Sequence, residues 1–270
     1  MDIAFIGGGN MATALIAGLR RSGVAAAQIR VVEVDAGRLA ALKREFGVDG
    51  SAVPDGALRG MDAVVFAVKP VHMREACTQC RPWIGDAFAL TIAAGIPAAS
   101  VAAWSGQPQV VRAMPNTPAL IGAGITGMWG GAALAPAARS LAERIMQASG
   151  EVVWFDHEAM LDAVTAVSGS GPAYVFLFIE ALQAAAEAMG MTPAQARQLS
   201  IATFRGAAQL ASQSDEPVAV LRERVTSKGG TTAAALEKMR AFGLRECFIE
   251  SVFAALERSR ELALTYGRPE

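Results

Sequence analysis

Ile3-Ala4-Phe5-Ile6-Gly7-Gly8-Gly9-Asn10-Met11-Ala12 decides the fold of this 270-residue chain. A short apolar run ends in G-x-G-x-x-A and enters a helix-forming stretch over residues 12–21, closed by Gly23. That is the first turn of a dinucleotide-binding unit: Gly7 permits the tight turn, Gly9 lets a pyrophosphate approach the backbone, and the small Ala12 lets the helix pack close to the strand. A second strand, Ile29-Arg30-Val31-Val32-Glu33, ends in an acid about 20 residues further on, where such units read the ribose. Ile6, Gly7, Gly8, Gly9, Asn10, Met11, Ala12 and Glu33 are therefore expected to bind a dinucleotide.

The alternation of strand and helix continues. Residues 38–46 read as helix, stopped by Gly47, and Ala63-Val64-Val65-Phe66-Ala67-Val68 is an unbroken apolar strand, central in a parallel sheet. Ligands of such sheets lie beyond the carboxyl ends of the strands, so Ala67, Val68, Lys69 and Pro70 are expected against the cofactor. The same argument adds Ala94 and Gly95, which end the strand Ala89-Leu90-Thr91-Ile92-Ala93. Val110-Val111-Arg112-Ala113 leads into Met114-Pro115-Asn116-Thr117-Pro118. This loop, stiffened by two prolines, either presents Asn116 and Thr117 near a nicotinamide or is a plain turn. Residues 125–129 and 151–155 read as further strands, with a helix over 136–149 between them.

From residue 157 every segment reads as helix: 157–167, 172–189, a helix to about 213 opened by the capping box Thr192-Pro193-Ala194-Gln195, then 217–225, 232–241 and 245–264. The expected architecture is an α/β Rossmann-like N-terminal domain with a mostly parallel sheet, residues 1–160, followed by an all-α domain, residues 161–270. At the junction, the glycines of Ser168-Gly169-Ser170-Gly171-Pro172-Ala173-Tyr174 are expected to bend the chain. Ser168 and Ser170 can donate to a ligand there, or the segment is a passive hinge. The run Tyr174-Val175-Phe176-Leu177-Phe178-Ile179 is apolar on nearly every face and must be buried all round. Further on, Thr226-Ser227-Lys228-Gly229-Gly230-Thr231-Thr232 opens a helix with two glycines and two threonines. It reads as an anion cradle for a carboxylate or phosphate, or as a helix entry with an ordinary threonine cap.

Composition narrows the partner. Lys plus Arg is 24 against Asp plus Glu at 25, a net charge of −1, so no nucleic-acid or membrane-surface footprint is expected and the partner is a small molecule. Hydrophobic residues make up 53% and charged residues 18%, a balance that points to apolar surface buried between subunits. Met1-Asp2 carries no basic segment and the first apolar run stops at Gly7, so a cytoplasmic location is expected. Glycines and prolines break the charge-free stretches 87–111 and 113–138, and neither reads as a membrane span. Cys77 and Cys80 lack a second ligand pair, so buried thiols rather than a metal site are expected.

Together the blocks at 6–12, Ala67-Val68-Lys69-Pro70, Met114-Pro115-Asn116-Thr117-Pro118, 168–174 and 225–232 resemble pyrroline-5-carboxylate reductase, and the likeness runs the whole chain. The first block is shared with many dehydrogenases; the last two at this spacing are specific to that family. The resemblance implies NAD(P)H-dependent reduction of 1-pyrroline-5-carboxylate to L-proline, the final step of proline biosynthesis. It also implies a homodimer of interlocked helical domains, in many members assembled into a homodecamer. It assigns the substrate carboxylate to the loop of Ser227, Gly229, Gly230 and Thr231, with Ser170 as a further substrate contact, and the ring nitrogen to Thr232 as the catalytic residue. Lys228 departs from the proline found in many members. A protonated cyclic imine is already electrophilic, so no strong acid is needed, and His72 and His157, outside the blocks, read as structural.

Two rival functions make different demands on the same residues. A β-hydroxyacid dehydrogenase would carry a lysine four residues after the last glycine of its motif, where Val175 stands. A non-catalytic nucleotide sensor would leave 226–232 as mere structure. On the cofactor, Glu33 and Asp35 favour NADH, against which Arg38 could pair with the 2′-phosphate of NADPH.

Overall fold

The computed structural model describes residues 1–267, and the last three residues of the expected helical domain lie outside them. The elements run β1 (Ile3–Ile6), α1 (Asn10–Arg21), β2 (Ile29–Val32), α2 (Ala36–Phe46), β3 (Asp49–Ser51), β4 (Ala63–Phe66), α3 (Met73–Cys80), β5 (Phe88–Thr91), α4 (Ala98–Ser105), β6 (Val110–Met114), β7 (Gly124–Gly130), α5 (Pro136–Gln147) and β8 (Gly150–Trp154). Helices α6 (Met160–Val164), α7 (Gly171–Ala188), α8 (Pro193–Ser212), α9 (Val218–Arg224), α10 (Thr231–Ala241) and α11 (Leu244–Tyr266) follow.

The eight strands form one sheet in the order β3-β2-β1-β4-β5-β6-β7-β8. All neighbours are parallel except β6 and β7. The exception has a local cause: the link from Met114 to Gly124 is too short for a crossover, so β7 runs back, whereas α5 carries the chain across to β8. Every residue of β1, β4 and β5 is buried. Side chains alternate between two apolar layers. Ile3, Phe5, Val65 and Leu90 pack with Leu15, Ile16, Ile145 and Met146 on one side, and Ala4, Ile6, Val64 and Phe66 pack with Met73, Cys77, Cys80 and Trp104 on the other. Burial pushes the Cys77 and Cys80 thiols up to about 12.

Strand β3 and helix α4 carried no legible signal. Asp49-Gly50-Ser51 has neither apolar alternation nor β-branched residues; it pairs because Gly50 lets the backbones close up, a Cβ there lying 2.2 Å from the Val31 carbonyl oxygen.

The chain divides into two compact units: Met1–Ser170 together with the end of α11 from Ala254, and Gly171–Phe253. The division falls after Ser170, ten residues beyond the boundary expected at 160. Helix α6 belongs to the first unit because Val164 packs on β7, leaving no room for a side chain at Gly127. The Ser259 hydroxyl donates to Asp162 Oδ1 at 2.7 Å, which holds the end of α11 in the same unit.

A π-helical turn, Thr165–Gly169, follows α6, with Ser170 N donating to Thr165 O at 2.8 Å, and the chain bends at Ser170. Gly169 serves close packing, since a Cβ would lie 2.5 Å from Met114 Cε. Within the second unit, only Ala186, Ala196 and Ser200 are buried. Phe248 of α11 stacks edge-on against Tyr174 and tilted against Phe178, each at 5.7 Å. The expectation that α7 is buried all round therefore fails for a single chain, in which Phe176 and Leu177 are each 63% exposed. The run Met160–Ala188 is also long and apolar enough to cross a membrane by length and composition, with 11% of its window buried.

Candidate functional site

The first unit carries a cleft of about 550 Å³ where the sheet order reverses, between the carboxyl ends of β1 and β4. Gly7 makes the turn out of β1 at φ +96°, and a Cβ on it would lie 2.8 Å from the Ala67 carbonyl oxygen, so only glycine fits. The turn is pinned by Gly7 N donating to Val32 O and Ala67 N donating to Ile6 O, both at 2.8 Å. No side chain caps α1, and its first backbone bond runs from Thr13 N to Gly9 O at 2.9 Å. The amides of Asn10, Met11 and Ala12 therefore open from a helix end, the arrangement that attracts phosphate. A Cβ built on Gly9 would meet nothing closer than Arg38, at 3.9 Å. These features fit a dinucleotide.

Of the residues expected to bind it, Ile6, Gly7, Gly9, Glu33, Ala67, Val68 and Lys69 line the cleft. Val34, Arg38, Ala52, Pro54, His72, Glu75 and Gln79 join them. His72 reaches the cleft from a 3-10 turn, Pro70–His72, that no motif announced. Gly8, Asn10, Met11, Ala12, Pro70, Ala94, Gly95 and Asn116 are not part of this lining. The Gly8 amide is taken by Glu33 Oε2 at 2.7 Å. Gly95 is buried, and a Cβ on it would stand 3.3 Å from Leu262 Cβ. Asn116 Oδ1 accepts from Ile125 N at 3.0 Å, so its side chain pins the β6–β7 loop to β7.

Glu33 is 7% exposed, and besides the Gly8 amide it takes the Asp35 amide on Oε1 at 2.8 Å. Asp35 is also spent locally, capping α2 through the Arg38 amide at 2.9 Å. The Arg38 guanidinium is left facing the cleft.

Around the π-helical turn, the Ser168 hydroxyl donates to the Val164 carbonyl at 3.1 Å. Ser168 also edges a separate apolar cavity of about 280 Å³, lined by Ile125, Val153, Phe155, Met160 and Val167 among others.

In the second unit, Ser227 O accepts from Gly230 N at 3.0 Å, closing a turn with Gly229 at φ +74°. Gly230 is the residue before α10, no side chain caps the helix, and the first bond runs from Ala234 N to Gly230 O at 3.2 Å. The threonine-cap reading is thus set aside: the amides of Thr231, Thr232 and Ala233 open from the helix end, with the half-buried Thr232 side chain in its first turn. A Cβ on Gly230 would stand 2.5 Å from Ser227 Oγ, so the Ser227 hydroxyl occupies the space beside these amides.

Comparison with known proteins bears on both units. Residues 158–262 match the family described as pyrroline-5-carboxylate reductase dimerisation, and residues 2–95 match NADP oxidoreductase coenzyme F420-dependent. A pyrroline-5-carboxylate reductase of Pseudomonas aeruginosa is 45% identical over 268 residues, covering 98% of each chain. Among solved structures, a pyrroline-5-carboxylate reductase of Coxiella burnetii superposes with a TM-score of 0.91 at 37% identity, covering 97% of this chain and 98% of that one. A Plasmodium falciparum pyrroline carboxylate reductase with NADP bound gives 0.87 at 25% identity over the same shares. With this likeness spanning both the nucleotide cleft and the glycine loop, the chain belongs to the pyrroline-5-carboxylate reductase family.

Proposed function

We propose that this protein reduces 1-pyrroline-5-carboxylate to L-proline with NAD(P)H, the final step of proline biosynthesis. The observation that carries this reading is the uncapped start of α10 behind the Ser227–Gly230 turn, in a chain whose relatives carry that activity in their names.

The reduced nicotinamide supplies the hydride, and every other task falls to the chain. The amides of Asn10, Met11 and Ala12 hold the pyrophosphate, and Ile6, Gly7, Gly9, Glu33, Ala67, Val68 and Lys69 form the wall around the cofactor. Gly8, Pro70, Ala94, Gly95 and Asn116 position that wall. The loop of Ser227, Gly229, Gly230 and Thr231 holds the substrate carboxylate, with Ser170 as a further contact. As the carbon of the C=N bond takes up the hydride pair, the π pair moves onto nitrogen, which keeps its iminium proton. The Thr232 hydroxyl stays bonded to that nitrogen as it turns from planar to tetrahedral. NADH is the preferred cofactor, because Glu33 holds a carboxylate in the cleft wall.

The chain self-associates through its helical unit, residues 161–270 of the expected division, as a homodimer and then a homodecamer. A second copy, not a membrane, covers Met160–Ala188, and the enzyme works in the cytoplasm with no nucleic-acid partner. Cofactor oxidation followed at 340 nm with the cyclic imine, together with proline detection, tests the reaction. Cofactor binding without turnover would overturn it in favour of a nucleotide sensor.

A further inference from the structure

Strand β3 is three residues long and lies at the edge of the sheet, paired to β2 through Arg30↔Asp49, Val31↔Gly50 and Val32↔Ser51. So short an edge strand has little holding it. Yet it leads directly into the cleft wall: Ala52 and Pro54 line the cleft on the side of Glu33, the side that faces the ribose in such folds. The Glu33 amide also donates to Ser51 O at 3.0 Å, so β3 fixes the backbone of the cleft's acid.

Arg30 ties this segment at both ends. Its Nη1 lies 3.2 Å from Asp49 Oδ2 and its Nη2 lies 2.9 Å from Asp55 Oδ2. Its side chain is 16% exposed, and its buried Nε has no partner among the described residues, so the two acids hold the head group, with Nη2 also donating to Ser51 Oγ at 3.5 Å. The two carboxylates differ. Asp49 is mostly exposed and also pairs with Lys43 at 3.3 Å, so it keeps a cation if Arg30 is lost. Among the described residues Asp55 has no second cation; its other oxygen accepts from Ala57 N at 2.9 Å and starts a short 3-10 turn. Between the two ends, the Ser51 hydroxyl donates to Val53 O at 2.8 Å, which folds the loop back on itself.

We infer that Arg30 is a positioning residue for the cofactor: its bond to Asp55 clamps the 52–55 segment into the wall that receives the adenosine end. The inference rests on the proposed assignment of the cleft to NAD(P)H.

The test measures dissociation constants of NADH and NADPH by fluorescence, beside steady-state kinetics with the imine. Arg30→Met should weaken both cofactors alike, by about tenfold, the scale of one charge-assisted contact, with kcat at saturating cofactor and the KM of the imine unchanged. Asp55→Asn should reproduce this, since asparagine keeps the Ala57 bond and loses only the ion pair, whereas Asp49→Asn should have little effect. Arg30→Lys, able to reach one acid only, should fall between. The double variant of Arg30→Met with Asp55→Asn should be no weaker than either single one, because both remove the same contact.

Unchanged cofactor binding in folded Arg30→Met, or additive effects in the double variant, would overturn the inference. If Arg30→Met fails to fold, Asp55→Asn decides by the same criterion. Binding is read without turnover, so a wild-type protein that binds cofactor but leaves the imine untouched would sink the proposed reaction and not this clamp.

Discussion

Replacing Glu33 by glutamine tests the cofactor reading most directly. The carboxylate accepts the Gly8 amide at 2.7 Å and the Asp35 amide at 2.8 Å, one on each oxygen. Glutamine offers one oxygen for two donors and turns an NH2 group toward the other amide, so one bond is lost and the remaining one loses its charge assistance. That amounts to about 2–3 kcal/mol in holding the turn, of which about half, or roughly tenfold, should appear as lost NADH affinity. On the proposed placement of the cofactor, the same change removes a negative charge from the cleft wall nearest the 2′ position. With an effective dielectric between that of water and about 20, relief of the repulsion on a 2′-phosphate is on the order of 1–2 kcal/mol, roughly five- to thirtyfold. Wild type should favour NADH. In Glu33→Gln, kcat/KM for NADH should fall while that for NADPH falls less or rises. Steady-state rates with both cofactors, on protein shown to be folded by circular dichroism, decide it. A ratio of the two efficiencies unchanged within about twofold would refute the reasoning, because Glu33 would then act on the turn alone.

Thr232→Ala should lower kcat by about ten- to a hundredfold, or 1–3 kcal/mol, with little change in cofactor binding, while Thr231→Ala does less; near-normal turnover would reduce Thr232 to a bystander of the helix end. Phe176→Glu combined with Leu177→Glu should lower the mass found by light scattering at micromolar concentration, since each copy would carry two charges into an interface expected to exceed ~2,000 Å²; an unchanged mass would place the contact elsewhere. Cys77 and Cys80 should resist alkylation at pH 8 in the folded protein, because a thiol held at about 12 is only about one part in ten thousand thiolate there. Peptide mass mapping that finds either residue labelled as fast as in unfolded protein would contradict the burial that raises them.

The nucleotide half was legible because its chemistry demands particular residue types at fixed spacing. Gly7 stands where φ must be positive, and the apolar run 63–66 is buried on both faces of the sheet. What sequence reasoning missed lacks such a demand. Strand β3 is held by glycine packing and by the side chain of Arg30 from the neighbouring strand, a contact invisible to local periodicity. His72 reaches the cleft only because Lys69-Pro70 starts a 3-10 turn there. Gly95 and Asn116 lie in the segments that follow β5 and β6, which end at Thr91 and Met114. The position of a residue along a strand does not say what covers it: Gly95 lies beneath Leu262 of a helix far along the chain, and Asn116 spends its oxygen on Ile125.

The helical half teaches the opposite lesson about apolar runs. Tyr174 to Ile179 calls for burial on every face, and a single chain leaves Phe176 and Leu177 open, with only Ala186, Ala196 and Ser200 buried across residues 171–253. A unit of that size with three buried residues has too little core to offset the entropy of ordering five helices. The missing apolar surface must come from outside the chain, and the match of residues 158–262 to a dimerisation family names the source as another copy. The glycine loop before α10 sits on this same thinly packed unit, so the geometry of its bare amides depends on an interface that the sequence announces only as an excess of apolar residues. Self-association is therefore a condition for the helical unit to be rigid enough for the carboxylate-binding role proposed for its glycine loop.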